Sequence, residues 1–376
     1  MPRAFRSDNN AGLCPEALEA LAAGNDHHHT GYGDDPHTDE AVALLRRLFS
    51  PDAHAFFVPT GTIANTLAVA CLARPWSRVL CHEHAHWNDD ESTAPEAFTG
   101  CRTSAIGPPG AVAEVIPATS KLTAADVRRA AAAVGRGDVH QPAPGALTIS
   151  NPTEFGEVYT PDEVRALAAA AHEAGYAVHM DGARFANAVA SLLGPGAPPD
   201  RAADLCRALT IDAGIDALSF GGTKNGLALG EAVLFFPQRA APRGAALAAG
   251  AAEDFPFRRK RAGALISKHR VITAPFAATL RDGAWLRHAA HANELAAHLS
   301  RGLRDLGFDV PFRTDSNGVF VRLTEREEAR LRERGHGFYM FGHPAWRLAR
   351  LMCSFDSARA DVEALLTDAR AARPNT

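Results

Sequence analysis

One lysine in this 376-residue chain stands where a reactive amine would be useful. Lysine is scarce, because the sequence contains only Lys121, Lys224, Lys260 and Lys268. Lys224 lies in the segment GGTKNG, after one apolar stretch and before another. Glycines on both sides let the backbone turn sharply and approach a ligand. The segment predicts an amine at the carboxyl edge of a sheet, where α/β proteins bind ligands; an ordinary turn lysine is the alternative.

An acidic residue follows the apolar stretch Tyr176–Met180. Asp181 comes directly after it, and Gly182 and Arg184 begin the next segment. A carboxylate at the end of a buried strand needs a cationic partner. The segment therefore predicts either a catalytic carboxylate or a structural ion pair between Asp181 and Arg184.

A third segment, Thr60-Gly61-Thr62, lies between a strand-like run and an Ala-rich helix. Backbone N–H groups at the start of a helix, together with two hydroxyl groups, can bind a phosphate. Ordinary helix capping is the alternative for this segment alone.

Together the three segments predict a pyridoxal phosphate (PLP) site. This cofactor needs a lysine, an anion-binding helix start and an acidic partner for its pyridine nitrogen. Lys224, the Thr60–Thr62 segment and Asp181 would supply these groups in turn.

The elements that must position these residues alternate along the chain. We predict helices over Pro15–Ala23, Asp39–Phe49 with Thr38 as its N-cap, Ile63–Ala73, Thr123–Val134, Pro161–Ala174 and Asp200–Ala208. We predict strands over Ala55–Val58, Arg78–Cys81, Ala146–Ser150, Tyr176–Met180, Ala217–Phe220 and Glu231–Phe236. Alternating strands and helices predict an α/β fold with a mostly parallel sheet covered by helices.

The pattern changes after Pro237, where a small-residue and basic stretch precedes long helices and the alternating strand Gly318–Leu323. We predict an N-terminal arm over residues 1–38, a large PLP-binding domain over residues 39–247 and a small α+β C-terminal domain over residues 248–376. The cluster Gly194–Pro199 is predicted to be a surface loop.

Composition excludes several classes of protein. The formal net charge of −4 gives no basic footprint for nucleic acid. No apolar run approaches the ~20 residues that span a bilayer, and the polar N-terminus lacks the apolar core of a secretory signal. The six cysteines are scattered without a C-x-x-C pair, which favours a reduced, cytoplasmic protein.

With these features in place, the chain resembles the low-specificity L-threonine aldolases of the β-eliminating lyase family, and through them the PLP-dependent transferase-like fold (fold type I). The resemblance runs nearly end to end. It is carried by Arg6–Asn9, Gly31–Pro36, Val58–Thr62, His179–Asn187 (HMDGARFAN), Ser219–Gly226 (SFGGTKNG) and Arg350–Ser354.

The resemblance implies how the cofactor would be held. Lys224 would form the Schiff base, Asp181 would pair with the pyridine nitrogen, and His86 would stack on the ring. Thr60, Gly61 and Thr62 would bind the phosphate.

It also implies how a substrate would be held. Ser7 and Arg350 would bind the substrate carboxylate, and Arg184 would contact that carboxylate or the cofactor ring oxygen. Tyr32 and a basic residue of the Arg258–Arg261 run, taken as Lys260, would reach the site of a neighbouring subunit. The implied assembly is a homodimer or homotetramer with shared active sites.

The implied reaction is retro-aldol cleavage of a β-hydroxy-α-amino acid into glycine and an aldehyde. A group must remove the β-hydroxyl proton, and a neutral imidazole with a pKa of ~6.5 suits that step. His86 and His140 match active-site histidines of the family; either of them or a water could take the proton. The segment Trp87–Glu91 differs from the family pattern, which leaves the threo/erythro preference open.

Other functions remain as alternatives. The same cofactor supports β-elimination, dehydration and transamination, and a non-catalytic protein could keep the fold as a scaffold. A scaffold would not need Lys224, Asp181 and Arg350. A nucleotide-binding protein lacks support, because no G-x-G-x-x-G or Walker loop follows a strand.

Histidines raise a metal site as a further alternative. His82, His84 and His86 alternate, so in a strand they would share one face, near which the His27–His29 run could lie. Because no cysteine or carboxylate stands at a usual ligand spacing, we predict that no metal takes part.

Overall fold

A seven-stranded sheet organises the part of the chain that the computed structural model describes, residues 5–107, 113–133, 138–194, 201–237 and 242–373. Its strands are β1 (His54–Val58), β2 (Ser77–His82), β3 (Arg102–Ile106), β4 (Ala143–Ser150), β5 (Ala177–Gly182), β6 (Ala217–Gly221) and β7 (Glu231–Phe235). They lie in the order β1-β7-β6-β5-β4-β2-β3. Only β7 runs opposite to its neighbours within this sheet. The predicted mostly parallel sheet is confirmed.

Fourteen α-helices lie within the described residues. They are α1 (Pro15–Ala23), α2 (Pro36–Leu48), α3 (Gly61–Leu72), α4 (His86–Asp89), α5 (Ala94–Thr99), α6 (Ala124–Ala132), α7 (Pro161–Glu173), α8 (Phe185–Leu193), α9 (Arg201–Leu209), α10 (Pro242–Arg261), α11 (Arg270–Arg281), α12 (Ala284–Asp305), α13 (Glu325–Glu333) and α14 (Arg359–Ala372). Short 3-10 helices cover Asp8–Asn10, Thr223–Asn225 and Pro344–Trp346.

The predicted start of α2 is wrong by one turn. Its N-cap is Asp35, not Thr38, because the Asp35 carboxylate accepts hydrogen bonds from the backbone N–H groups of His37 and Thr38 at 3.1 Å. Pro36 fits the first helical position, where its fixed φ and missing N–H carry no cost. The predicted loop at Gly194–Pro199 lies outside the described residues after Gly194.

The two faces of the sheet differ in the size of their side chains. On one face the large side chains of Met180 and Phe220 join a core with Phe49, the residue that follows α2, with Phe185 of α8 and with further helices. The other face is built around Ala177 and Ala217, against which α3 packs through Ala64 and Ala68. Because alternate strand residues point to opposite faces, Asp181 shares the alanine-lined face with α3. Small residues there let the start of α3 lie close to the sheet edge.

A second sheet lies in the C-terminal part of the chain. Its strands are β8 (Gly318–Arg322), β9 (Tyr339–Phe341) and β10 (Leu348–Met352), in the antiparallel order β8-β10-β9. The strand predicted at Gly318–Leu323 is therefore present. Helix α12 contributes Ala289 to the core of the large sheet and Leu299 to that of the small sheet. The division predicted at residue 248 falls inside α10 and remains a prediction.

None of the helices in the described ranges combines the length and the apolar character that a membrane span requires.

One prediction concerns the close packing of β6 against the segment after Asp181. A Cβ atom added at Gly221 would overlap the carbonyl oxygen of Ala183, so Gly221→Ala should force the backbone apart. We expect a loss of about 1–3 kcal/mol in the free energy of unfolding, measured by urea denaturation.

The matched control is Gly250→Ala. Gly250 is exposed on α10, and a Cβ atom there meets nothing within 4 Å. Alanine is the better helix former, so this variant should be neutral or slightly more stable. Equal denaturation midpoints for the two variants would contradict the packing argument.

Candidate active site

A cavity of about 360 Å³ opens at the carboxyl edge of the large sheet. The start of α3, the end of β5, the turn after β6 and the start of β7 all contribute to it. Six residues predicted for the site line this cavity: Thr60, Gly61, Thr62, His86, Asp181 and Lys224. Asn9, Asn65, Glu154 and Glu231 line it as well.

Strand register explains why these distant residues meet. Ser150 of β4 is paired with Asp181 of β5, which in turn is paired with Ser219 of β6. On the other side, Glu231 is paired with both Gly221 and Val58. The segments that follow these positions therefore leave the sheet at the same edge.

The start of α3 is suited to bind an anion. Thr60 is the N-cap in extended conformation, but its side chain makes no capping hydrogen bond. Within the described residues, the N–H groups of Gly61, Thr62 and Ile63 have no protein acceptor. A Cβ atom at Gly61 would meet nothing within 4 Å, so the space in front of these donors is open. Donors of this kind at a helix start fit a phosphate group.

Asp181 belongs to a buried hydrogen-bonded chain that ends at His86. Asn65 of α3 donates from Nδ2 to Oδ2 of Asp181 at 2.8 Å and to Oε1 of Glu91 at 2.9 Å. The same Glu91 oxygen lies 2.9 Å from Nδ1 of His86. Asp181 also accepts from the backbone N–H of Ala183 at 2.9 Å. The chain fixes both the carboxylate of Asp181 and the imidazole of His86 at the cavity.

These contacts set the ionisation of the buried groups. Burial acts to raise the pKa of Asp181, but the positive charge of His86 and the hydrogen bond from Ala183 outweigh it, so the pKa is lowered. Burial acts to lower the pKa of His86, but the hydrogen bond to Glu91 and the charge of Asp181 raise it. Burial raises the pKa of Glu91 itself. An ionised Asp181 fits the protonated ring nitrogen that PLP requires.

The histidine metal site predicted as an alternative does not form in the proposed way. Strand β2 ends at His82, so His84 and His86 do not continue its face. His86, Glu91 and Asp181 do offer ligand atoms within 4.8 Å of one another. However, the N–H protons of Asn65 point at both carboxylates, and such donors suit a hydrogen-bonded network better than a cation.

Lys224 is held by a turn that is fixed on both sides. The backbone N–H of Gly222 donates to Glu231 Oε2 at 2.8 Å, and Asn225 Nδ2 donates to the carbonyl of Trp285 at 2.6 Å. Gly226 adopts φ +102° against the side chain of Cys14, where a Cβ atom would not fit. Lys224 itself is half-buried, and no carboxylate in the described ranges lies within ion-pair distance of its Nζ. Its amine faces the cavity free to react.

Glu231 is a further acidic residue of this edge. Burial raises its pKa to about 7, although the hydrogen bond from Gly222 acts in the opposite direction.

Arg184 makes a contact that the sequence reading did not assign. Its guanidinium donates twice to Asp8, from Nε at 2.6 Å and from a terminal nitrogen at 3.0 Å. Asn317 also donates to Asp8, at 3.0 Å. Arg184 is not among the cavity-lining residues, and its predicted contact with the substrate carboxylate or the cofactor ring oxygen stays a prediction.

Arg350 lies on β10 with its guanidinium carbon 4.7 Å from the centre of the Phe341 ring and 5.9 Å from that of Tyr339. Its Nε is buried without an acceptor in the described part of the chain. Burial, followed by the positive charge of Arg184, lowers its pKa. An arginine beside a second cation and without a carboxylate partner fits the binding of a free carboxylate. Ser7 caps the 3-10 helix that carries Asp8 and accepts from Asn9 at 3.2 Å.

Ser7, Arg184 and Arg350 do not line the cavity, and three further predicted site residues lie away from it. His140 is exposed three residues before β4 begins, at the amino edge of the sheet, because β4 separates it from the carboxyl edge. Tyr32 and Lys260 are both exposed and contact each other, with Nζ 4.7 Å from the ring centre. None of the three lines the cavity.

Sequence reasoning missed Asp8, Asn65, Glu91 and Glu154. Asn65 stands one helical turn after Gly61, which is a signal that could have been used. Glu91 and Glu154 lie in irregular segments, where sequence spacing does not reveal which way a side chain points.

Comparison with known proteins gives a consistent result. Residues 4–326 match the family described as Beta-eliminating lyase. A low specificity L-threonine aldolase of a Pseudomonas species is 43% identical over 369 residues, which cover 98% of this chain and 97% of that protein.

Solved structures extend the comparison. A threonine aldolase of Leishmania major has a TM-score of 0.84 and 26% identity over 98% of this chain and 99% of that chain. A serine palmitoyltransferase of Sphingomonas wittichii has a TM-score of 0.69 at 14% identity, over 98% of this chain and 86% of that chain, and shares the fold.

We predict that Asp8 stabilises the fold through Arg184. In Asp8→Asn the buried guanidinium loses its counter-charge, so the free energy of unfolding at pH 7 should fall by about 3 kcal/mol. Asp162→Asn, which removes an exposed partner of Arg165, should change it by less than about 0.5 kcal/mol. Denaturant titration of both variants measures the difference.

The pKa of Asp8 predicts how the stability difference between the wild type and Asp8→Asn changes with pH. Burial acts to raise the pKa of Asp8, but Arg184 outweighs it and lowers the pKa from 3.8 to about 2. The ion pair of Asp8 with Arg184 therefore contributes fully to the free energy of unfolding above pH 3.8. This contribution is lost as the pH falls towards 2. A wild-type advantage over Asp8→Asn that persists unchanged at pH 2 would refute the assignment.

Proposed function

The chain belongs to the beta-eliminating lyase family, and on that premise we propose that it is a PLP-dependent threonine aldolase. Its reaction is the cleavage of L-threonine, L-allo-threonine and related β-hydroxy-α-amino acids to glycine and an aldehyde. The fold is the PLP-dependent transferase-like fold, type I, which the sequence predicted. The observation that supports this function most is that Lys224, Asp181 and an open helix start converge on one cavity.

The residues present fit the cofactor. The unpaired N–H groups at the start of α3, with the hydroxyl groups of Thr60 and Thr62, would hold the phosphate. Asp181 would bind the ring nitrogen, and Lys224 would hold the aldehyde carbon. His86, fixed by Glu91, would lie against the ring. When bound, PLP supplies an electron sink for a bond that breaks at Cα of the amino acid.

The substrate carboxylate is assigned to Arg350. A guanidinium can bind a carboxylate with two parallel hydrogen bonds, and Arg350 has no competing carboxylate partner within the described residues. Holding the carboxylate fixes the rotation about Cα and thereby selects which bond at Cα breaks. Ser7 would add a hydrogen bond, whereas Arg184, already engaged by Asp8, would position the N-terminal segment beside the cavity.

We further propose a homo-oligomer, a dimer or tetramer, in the cytoplasm. Tyr32 is 53% exposed and adopts φ +66°, an unusual conformation for a large residue. It contacts Lys260 of α10, where Phe257 is 79% exposed. This surface would meet a second copy and bring Tyr32 and Lys260 to its site. The six free thiols support a reducing compartment.

The function is tested by product analysis together with a lysine variant. The wild type should release glycine and acetaldehyde from L-threonine in equal amounts. Lys224→Ala should lower the turnover at least a thousandfold, because a covalent attachment amine is lost. Borohydride reduction should fix the cofactor to Lys224 in the wild type, with the modified peptide identified by mass spectrometry.

Lys268→Ala is the matched control, because Lys268 is exposed and outside the cavity. Lys268→Ala should keep the wild-type turnover, and borohydride should still fix the cofactor to Lys224. Ammonia and a keto acid without glycine would reject the aldolase in favour of an eliminating lyase, and a label on another lysine would reject the assignment of Lys224.

A second prediction concerns Arg350. Arg350→Ala should raise KM for L-threonine about 10- to 100-fold, because charge-assisted hydrogen bonds contribute about 1.5–3 kcal/mol. Arg350→Lys keeps a positive charge, so its KM should lie between those of the wild type and Arg350→Ala. Arg322→Ala, on the neighbouring strand β8 with an exposed side chain, is the control and should leave KM unchanged. Steady-state kinetics measure both, and an unaltered KM in Arg350→Ala would remove the assignment.

A further inference from the structure

Glu154 lines the active-site cavity but has no role in holding the cofactor or the substrate carboxylate. Its side chain is half-buried. No hydrogen bond or ion pair joins it to any residue in the described ranges. The other two acidic residues of the cavity are both engaged, since Asp181 accepts from Asn65 and Glu231 accepts from Gly222. Glu154 is thus the cavity carboxylate whose oxygens remain available.

The backbone holds Glu154 in place although its side chain is unpartnered. Phe155, the next residue, is fully buried and its ring is stacked on Phe312 at 4.6 Å. Thr153 lies 2.6 Å from the hydroxyl of Ser120, and the N–H of Gly156 donates to Thr153 at 2.9 Å. A rigid turn therefore presents Glu154 at its tip.

The turn is also tied to the cofactor side of the site. The backbone N–H of Asn151 donates to the carbonyl of Asp181 at 3.0 Å, and the side chain of Asn151 accepts from Tyr159 at 3.0 Å. The loop from Asn151 to Tyr159 is closed by these bonds directly beside Asp181. Any displacement of the loop would have to break them.

The surroundings of Glu154 are cationic. The negative charge of Glu154 acts to raise the pKa of His86, Arg184 and Arg350. Glu154 therefore lies close enough to interact electrostatically with all three. Arg184 already has Asp8 as its counter-charge. Glu154 forms no ion pair with any of the three in the described residues, so a structural salt bridge does not explain its position.

His86 is a poor candidate for the base. Its Nδ1 is already engaged by Glu91 at 2.9 Å, and this contact raises the pKa of His86 although burial opposes it. The proposed site also assigns its ring to lie against the cofactor, away from the role of a free base. His140, the other histidine considered, lies at the opposite edge of the sheet.

We propose that Glu154 is the general base that accepts the β-hydroxyl proton of the substrate, an inference that rests on the proposed aldolase function. The O–H bond breaks and its proton passes to a Glu154 carboxylate oxygen. The oxygen electron pair forms the C=O bond of the aldehyde as the Cα–Cβ bond breaks, and the electron pair of that bond stays with Cα. One proton is then returned to Cα, directly or after exchange with water, and glycine is complete.

The test compares two reactions of the same holoenzyme. The first is L-threonine cleavage, which needs a base for the β-hydroxyl. The second is exchange of the glycine α-hydrogen in D2O, followed by proton NMR, which needs the cofactor and carboxylate binding but no β-hydroxyl. In Glu154→Gln, cleavage should fall 10²- to 10⁴-fold, whereas glycine exchange should change less than about threefold. Glu154→Asp should recover part of the cleavage rate, since it restores a carboxylate.

Asp90→Asn is the matched control, because Asp90 is an exposed carboxylate near the site that does not line the cavity. It should keep both rates. Equal loss of cleavage and exchange in Glu154→Gln, or unchanged cleavage, would overturn the proposal. A wild type that exchanges glycine but does not cleave L-threonine would instead overturn the proposed function, so the two failures are distinguishable.

Discussion

The site depends on keeping one buried carboxylate ionised. Asp181 lies at the end of a central strand, where burial alone would favour its neutral form. The charge of His86 and the hydrogen bond from the N–H of Ala183 reverse that preference and lower the pKa of Asp181, and Asn65 holds the same carboxylate in place with a further hydrogen bond. Each of these groups has its own structural requirement: α3 must approach the sheet closely enough to place Asn65, and Glu91 must hold His86. The small residues Ala177 and Ala217 therefore matter for the site, because larger side chains there would move Asn65 and the open start of α3 away from the sheet edge together.

A second constraint ties the N-terminal segment and the small sheet to this edge. Asp8 connects the two regions, since it accepts from Arg184 after β5 and from Asn317 beside β8. Phe5 packs in the core of the small sheet, and its carbonyl accepts from Met352 of β10. Arg350 lies on the same strand as Met352. The N-terminal segment, the segment after β5 and the small sheet are thus joined through the buried carboxylate of Asp8.

The sequence was sufficient for the mostly parallel sheet and for six of its seven strands, because apolar periodicity and glycine-rich turns are local signals. The same signals located the three segments that carry Thr60–Thr62, Asp181 and Lys224. It missed the edge strand β3. It was insufficient for α2, where Thr38 and Asp35 are both good caps and only the proline between them favours the earlier start. It also misplaced His140, since proximity to a strand does not say at which end of the strand a residue lies. Glu154 and Glu91 were missed because their orientation is set by distant partners such as Phe312 and Asn65.

The acidic residues of this edge show how environment divides chemical roles among similar groups. Arg184 lowers the pKa of Asp8 against the effect of burial, so Asp8 serves as a permanent counter-charge. Burial of Glu231 outweighs the groups that oppose it, among them the hydrogen bond from Gly222 and the charge of Lys224, and raises its pKa to about 7. Asp181 and Glu91 share the side-chain amide of Asn65, and Glu91 also holds His86. Glu154 alone, within the described cavity, carries a carboxylate without a bonded partner, and a group that must accept and release a proton during each turnover cannot be committed to a permanent one.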